Sequence, residues 1–374
     1  MAIGMPHEYR FAREVILGAA KYCMTHDVSL VHVGMPDPNH LADPRRARAQ
    51  GLISFAVSPA SIKLFRKWGV PLVNTSSRYA NPTVPSVLLD NRQIGQIGAK
   101  HLLDRGFRSL AYVGIEGHWY SELRAEGFQS AAEAAKVVYN MSNRVEFDLF
   151  DTPAESKMAQ WLDSLPKPVG VMTCNDIRSR HVLEACQVLG VSVPHDVAIL
   201  GVDNDEVICQ GMDPMLSSVD PNAYRVGYEA ASMLHRLMQG LPIRDPVLVA
   251  PLGVVPRAST NTAASDDPDV TAALLQIHEN AGQPLGVADV AHRLRMSRRT
   301  LERRFRRTVG CSIATAIRRA HVERAKQFLI DTDLTLEEVA EAAGLKTVRQ
   351  LRIVFPREAG TSPSQFRKTF QSSG

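Results

Sequence analysis

Six arginines crowd one stretch between Ser297 and Gly310, and five of them, Arg298, Arg299, Arg303, Arg306 and Arg307, share an outward helical face. Thr300 and Glu302 stand among them. Leu301 and Phe305, four apart, mark the opposite face as the one that meets a core. Guanidinium forks in such a row donate to phosphate oxygens and to guanine edges, and a carboxylate such as Glu302 accepts from cytosine. The chemistry is recognition of a polyanion. The spacing returns about 50 residues later, where Leu351, Phe355 and Gly360 repeat Leu301, Phe305 and Gly310. There Val348, Arg349 and Arg352 take the outward positions. Any helical bundle shows such spacings once; two tandem copies point to paired helix-turn-helix units.

A second set of residues suits a small polyhydroxylated ligand. Arg124, Asn175, Asp176, Asp203 and Asn204 lie beside the ends of apolar runs, and Trp119 and Tyr120 supply rings. Vicinal hydroxyls are bound in pairs by carboxylates and amides, and the C–H faces of a sugar are covered by aromatic rings. Asp176 and Asp203 lead this set, followed by Arg124. The plainer alternative for each is a turn or helix cap, since Asn and Asp at strand ends often do only that. His32, His101 and His181 are expected at the surface or in packing.

Positioning these groups requires two kinds of scaffold. Short apolar runs at 28–33, 51–57, 72–73, 110–113, 169–172 and 197–200 read as strands buried on both faces. They alternate with amphipathic segments at 12–22, 92–104, 123–135 and 178–189. That alternation predicts an α/β domain of two lobes, each a parallel sheet with helices on both faces. Ligands bind beyond the carboxyl ends of such strands, where the polar set falls. The expected boundaries are a ligand-binding domain over 1–258, a polar linker over 259–269 and an all-α domain over 270–374. The helix-turn-helix units are expected at about 286–307 and 335–357. Ser297 and Thr347 stand where N-caps belong, and the second turn, around Gly344-Leu345, is one residue longer than the first, around Met296. Pro356 should bend or shorten the second recognition helix, and Ile353 puts an apolar group in a contacting turn. The second unit is therefore expected to read fewer bases than the first.

Bulk properties agree. The 374 residues, 45% hydrophobic and 22% charged, are those of a folded chain of two or three domains. The net charge of +4 divides into +8 after residue 269 and −4 before it, which points to an anionic partner for the C-terminal part. Five scattered cysteines without a Cys-x-x-Cys pair suggest neither a disulfide framework nor a metal site. No apolar run is long enough to span a membrane, and the N-terminus lacks the pattern of a signal peptide, so a cytoplasmic location is expected. No cofactor is implied. Gly-x-Ser-x-Gly, His-Glu-x-x-His, Walker and Gly-x-Gly-x-x-Gly motifs are absent, so an enzyme is not expected.

Residues 270–374 resemble the AraC-type DNA-binding domain, down to the ending Gly360-Thr-Ser-Pro-Ser-Gln-Phe-Arg367. The resemblance implies seven helices, with Arg299, Glu302 and Arg303 turned toward bases and Arg298 and Thr300 beside them. In the second unit it implies Val348, Arg349 and Arg352. The stretch 85–115, with Tyr120-Ser121, Arg124, Gly127-Phe128, Asn175-Asp176 and 199–204, resembles the effector domain of LacI-type repressors. That domain shares its fold with periplasmic sugar-binding proteins. The order of the two parts resembles the xylose operon regulators. It implies D-xylose as effector, operator DNA as partner, a homodimer and, for an activator, contact with RNA polymerase. Only residues 1–4 are available for the first strand of that fold, which places the first-loop residues His7, Arg10, Phe11 and Arg13 in question. A transport-associated sugar-binding protein is the alternative that residues 1–260 alone would support.

Overall fold

The computed structural model describes residues 1–6, 8–33, 47–55, 59–80, 83–142, 157–243, 246–262, 264 and 267–371; His7 lies outside the described residues. The chain opens with β1 (Ala2–Gly4), α1 (Arg10–Thr25), β2 (Val31–His32), β3 (Leu52–Ser54), α2 (Pro59–Lys67), β4 (Leu72–Asn74) and β5 (Val87–Leu89). It crosses to a second lobe for α3 (Asn91–Asp104), β6 (Ser109–Val113), α4 (Trp119–Ala134), β7 (Val138–Ser142) and α5 (Lys157–Ser164). That lobe continues through β8 (Val169–Thr173), α6 (Asp176–Leu189), β9 (Val197–Val202), α7 (Glu206–Gly211) and β10 (Ser217–Asp220). A return to the first lobe supplies α8 (Ala223–Met238) and β11 (Val247–Val249), and a third crossing ends in β12 (Gly253–Val255).

The first sheet runs β2-β1-β3-β4, all parallel, and the β11-β5 pair adjoins it through a bridge between Asn74 and Ser86. The second runs β12-β10-β9-β8-β6-β7, parallel except at β12. Every residue of β3, β4, β6, β8 and β9 is buried, as expected of strands covered by helices on both faces. The run at 28–33 departs from that expectation. Only Val31 and His32 form a strand, and both are exposed, because β2 is the edge of its sheet. The first strand is indeed short, yet its three residues are fully buried between β2 and β3. A three-residue strand therefore suffices to start α1 in place.

Reciprocal glycines set the closest helix contacts. A side chain at Gly95 would collide with the Arg124 carbonyl, and one at Gly127 with that of Arg92, so α3 and α4 touch backbone to backbone. Gly18 and Gly227 do the same for α1 and α8.

Residues of the expected linker are partly tied down. Ser259 Oγ donates to Ile199 O at 2.6 Å, and Thr260 Oγ1 lies 2.7 Å from Ser217 Oγ. The helical part then begins at Asp267, which caps α9 (Pro268–Glu279). It continues through α10 (Val287–Arg293), α11 (Arg298–Val309), α12 (Ile313–Asp331), α13 (Leu336–Ala342), α14 (Val348–Ala359) and α15 (Pro363–Gln371). These are seven helices among the described residues. Their apolar faces form two clusters, one around Leu301 and Phe305 and one around Leu351 and Phe355.

Candidate functional site: a sensor cleft and two recognition helices

The cleft forms where β6, β8, β9 and β10 end. Glycine contact between α3 and α4 brings Arg124, itself buried, onto the first turn of α3, where its Nε donates to Asn91 Oδ1 at 2.9 Å. An Nη of Arg124 also donates to the Cys174 carbonyl at the end of β8. The guanidinium lies 5.0 Å from the centroid of the Tyr120 ring and 4.0 Å from Asp203 Oδ1. Trp119 and Tyr120 open α4, and their amides donate to the Arg78 and Ser77 carbonyls at 3.1 and 2.9 Å. The two lobes are thus hydrogen-bonded across the cleft at these rings.

Asp203 and Asn204 follow β9 with φ of 107° and 51°, a conformation that non-glycine residues adopt only when held. The holding groups are visible. Arg10 donates from one Nη to the carbonyls of both residues and lies 3.4 Å from Asp220 Oδ2. Asn204 is buried, donates to Asp220 Oδ2 at 3.2 Å and accepts from Arg257 at 2.8 Å. Asp203 keeps a partly exposed carboxylate facing Arg124. Burial pushes its pKa up, against the pull of Arg124 and Arg10. A carboxylate acceptor beside a guanidinium donor is the pair that two neighbouring hydroxyls require.

Asp176 occupies a different place. It is 1% exposed, and its oxygens accept from Ser218 Oγ at 2.6 Å and from the Asp205 amide at 2.7 Å, with Cys209 Sγ at 3.5 Å. Burial, then the charge of Asp203, raises its pKa. Asp176 braces the 203–205 loop from behind. Asn175 caps α6, its Oδ1 accepting from the Arg178 amide at 2.9 Å. So Arg124, Asp203, Asn204 and Tyr120 converge with Trp119 beside them, and Asp176 and Asn175 shape the loops. Arg10, Phe11 and Arg13 are in place on α1, with Phe11 tilted 6.0 Å from Phe55 and Arg13 3.5 Å from Asp205. Asn91, Asp220 and Arg257 belong to the cluster without any motif that marked them. His101 and His181 are buried in packing and His32 is exposed. The five cysteines are free thiols, and no group of residues that could hold a metal occurs among those described.

The helix-turn-helix units are built alike. Ser297 accepts from the Thr300 amide at 3.2 Å and Thr347 from the Gln350 amide at 3.1 Å, each starting a 12-residue helix. Four residues, 294–297, separate α10 from α11, and five, 343–347, separate α13 from α14, so the second turn is longer by one. Leu301, Phe305 and Val309 are buried on α11, while Arg298, Arg299, Arg303, Arg306 and Arg307 are exposed on it, with Thr300 and Glu302 half-buried. Glu302 is held by Arg298 at 3.0 Å. On α14, Leu351, Val354 and Phe355 are buried, Arg349 and Arg352 are exposed and Val348 is half-buried. Ile353 is 46% exposed. Pro356 does not shorten α14, which runs on to Ala359 and matches α11 in length. The donor that proline removes would reach only the Arg352 carbonyl, so the first two turns keep their bonds.

A cavity of about 1320 Å³ lies away from the cleft, between the helical part and the second lobe.

Comparison with known proteins matches this division. Residues 99–260 fit the periplasmic binding protein-like domain and residues 290–369 a helix-turn-helix domain. The xylose operon regulatory protein of Escherichia coli (strain K12) is 30% identical over 80% of this chain and 78% of its own. That of Haemophilus influenzae is 29% identical over 85% and 84%. The solved structure of the xylose-binding transcription activator xylR covers 98% of this chain and 97% of its own, with a TM-score of 0.61 and 25% identity. None of the described helices is long and apolar enough to cross a membrane. Sensor lobes, paired recognition helices and the order in which they follow one another are thus shared end to end, and the chain belongs to the family of the xylose operon regulatory proteins, DNA-binding transcription regulators governed by a small sugar.

Proposed function

We propose that this chain is a cytoplasmic, homodimeric activator that binds D-xylose between its lobes and operator DNA through α11 and α14, and that it recruits RNA polymerase. The observation that carries the reading is the pairing of Arg124 with Asp203 in a cleft of a chain that also presents two capped, arginine-faced recognition helices. In this reading Arg124, Asp203, Asn204 and Arg10 contact or frame the sugar hydroxyls, Tyr120 and Trp119 cover its apolar face, and Asn175 and Asp176 hold the loops. Arg299, Glu302 and Arg303 face bases, with Arg298, Thr300 and Arg306 on the backbone side. The unbroken α14 supports base contact by Val348, Arg349 and Arg352 as well. In this reading the sensor spans 1–258 and the reader 270–374, with 259–269 as the linker; the capping of α9 by Asp267 supports a reader that starts a few residues earlier.

Two measurements test it. The purified chain should bind the DNA upstream of its own gene with an affinity that falls steeply with salt and changes with D-xylose. Arg124→Ala should weaken D-xylose binding at least about 100-fold by calorimetry, because Asn91 and the Cys174 carbonyl lose their buried donor together with the sugar. Xylose binding unchanged in that variant would refute the assigned cleft. DNA affinity indifferent to D-xylose would refute the regulatory reading.

A further inference from the structure

The three chain crossings between the lobes lie side by side. The Asp90 amide donates to Val249 O at 2.8 Å, Asn222 Nδ2 to Ala250 O at 3.2 Å and the Leu252 amide to Asp220 O at 3.0 Å. Asp220 is the same residue whose carboxylate holds Arg10 and Asn204 beside the sugar cleft. One hydrogen bond therefore separates the cleft cluster from Leu252.

Leu252 does not end in the sensor. Its side chain packs against the apolar cluster of the second helix-turn-helix unit, the cluster built on Leu351 and Phe355. The next residue, Gly253, has φ of 131° and is buried; a side chain there would press on Lys326 Nζ of α12. Lys326 is 6% exposed and paired with Glu323 at 2.7 Å. One helical position on, Gln327 Nε2 donates to Pro256 O at 3.4 Å. The far half of α12 is fixed as well: Arg319 pairs with Asp104 at the end of α3 and reaches Glu358 of α14 at 3.5 Å. Arg108, in the loop after α3, donates to the Thr308 carbonyl at the end of α11. Each of these contacts falls on the six-stranded lobe or on the third crossing.

We infer that the third crossing, through Leu252 and Gly253, is the joint that couples sugar binding to DNA binding, the helical domain being carried by the six-stranded lobe. The inference rests on the sugar-controlled reading above and states where the control passes. Closing the lobes around a sugar bends the chain at Asp90, Asp220 and the 249–253 crossing. The four-stranded lobe then rotates against a body that includes α12 and both recognition helices. Leu252 moves with that bend and bears on the core of the second unit directly.

The test uses the full chain, D-xylose and the DNA upstream of its own gene, with wild type, Leu252→Ala and Asp104→Asn compared. Leu252→Ala shortens the apolar contact, and Asp104→Asn removes the sensor-side charge from Arg319, which keeps Glu358. The readout is the ratio of DNA affinities with and without saturating D-xylose, beside the D-xylose affinity itself. Expected is wild-type D-xylose affinity in both variants, with the ratio in Leu252→Ala falling to within about two-fold of one and that in Asp104→Asn falling part of the way. Variants that keep the wild-type ratio overturn the joint and leave the sugar-controlled reading standing. A wild-type ratio of one overturns that reading and the joint with it.

Discussion

Nε2 of His101 lies 2.9 Å from Thr260 Oγ1, and its Nδ1 lies 3.1 Å from Arg105, an arginine that is itself buried. Burial, then the charge of Arg105, holds the ring's pKa well below the usual histidine range. The native ring stays neutral, while the unfolded chain takes up a proton below about pH 6.5. The stability this residue contributes is therefore whole above that pH and is lost as pH falls, by up to about 1.4 kcal/mol per pH unit. Between pH 7 and 5.5 the wild-type melting temperature should fall, and His101→Gln, which cannot charge, should fall by less; parallel curves would refute the assignment. Residue types were the legible part of the cleft. Arg124 and Asp203 stood out because charged groups beside apolar strand ends need a purpose. Asp176 stood out equally, yet its oxygens turn inward to Ser218 and Asp205, and sequence does not tell which way a carboxylate points. Asp220 was beyond reach for another reason: its contact with Arg10, a residue the sequence named only as in question, joins residues 210 apart in the chain.

Turns between helices show what periodicity can and cannot say. The 49–50-residue repeat announced both units and even the extra residue of the second turn, because each copy must satisfy the same cap and bury the same Leu-Phe pair. It did not show how each turn is made. The second uses Gly344 at φ 72°, whereas the first reaches the same left-handed region with Arg295 at φ 53°. A side chain in that region costs energy that glycine avoids. Arg295→Gly should raise stability by about 0.5–1 kcal/mol in chemical denaturation, the roughly 1–2 kcal/mol cost of a left-handed side-chain residue less the chain entropy a glycine loses, and a loss of stability would show that the arginine makes a compensating contact. The proline in α14 taught the reverse lesson. Its effect depends on which carbonyl it deprives, and late in a helix that is a single solvent-side group. The edge strand β2 was misread as buried for a similar reason, since apolar residues alone do not reveal which strand lies outermost.

Taken as one body, the molecule has its reader docked on the lobe that also supplies Asp203, Asn204 and Arg124. Fold class was legible at this scale because alternating strands and helices admit few arrangements, and a purely helical tail admits no sheet. The docking was not, since it depends on single residues of the joint, whose sequence reads as ordinary loop. Leu252 has a consequence for how the parts melt. The core of the second helix-turn-helix unit borrows a side chain from the sensor, whereas the buried cluster of the first unit, among the described residues, is built from residues 270–320. Local opening of α13 and α14 is thus tied to the fate of a distant segment, and a ligand that steadies the sensor lengthens the life of a reader it never touches. In the full chain, D-xylose should slow amide hydrogen exchange in α13 and α14 more than in α10 and α11, and equal slowing would contradict it. The reader's two halves, alike in sequence, would then age differently: the second keeps the sensor's time more closely than the first.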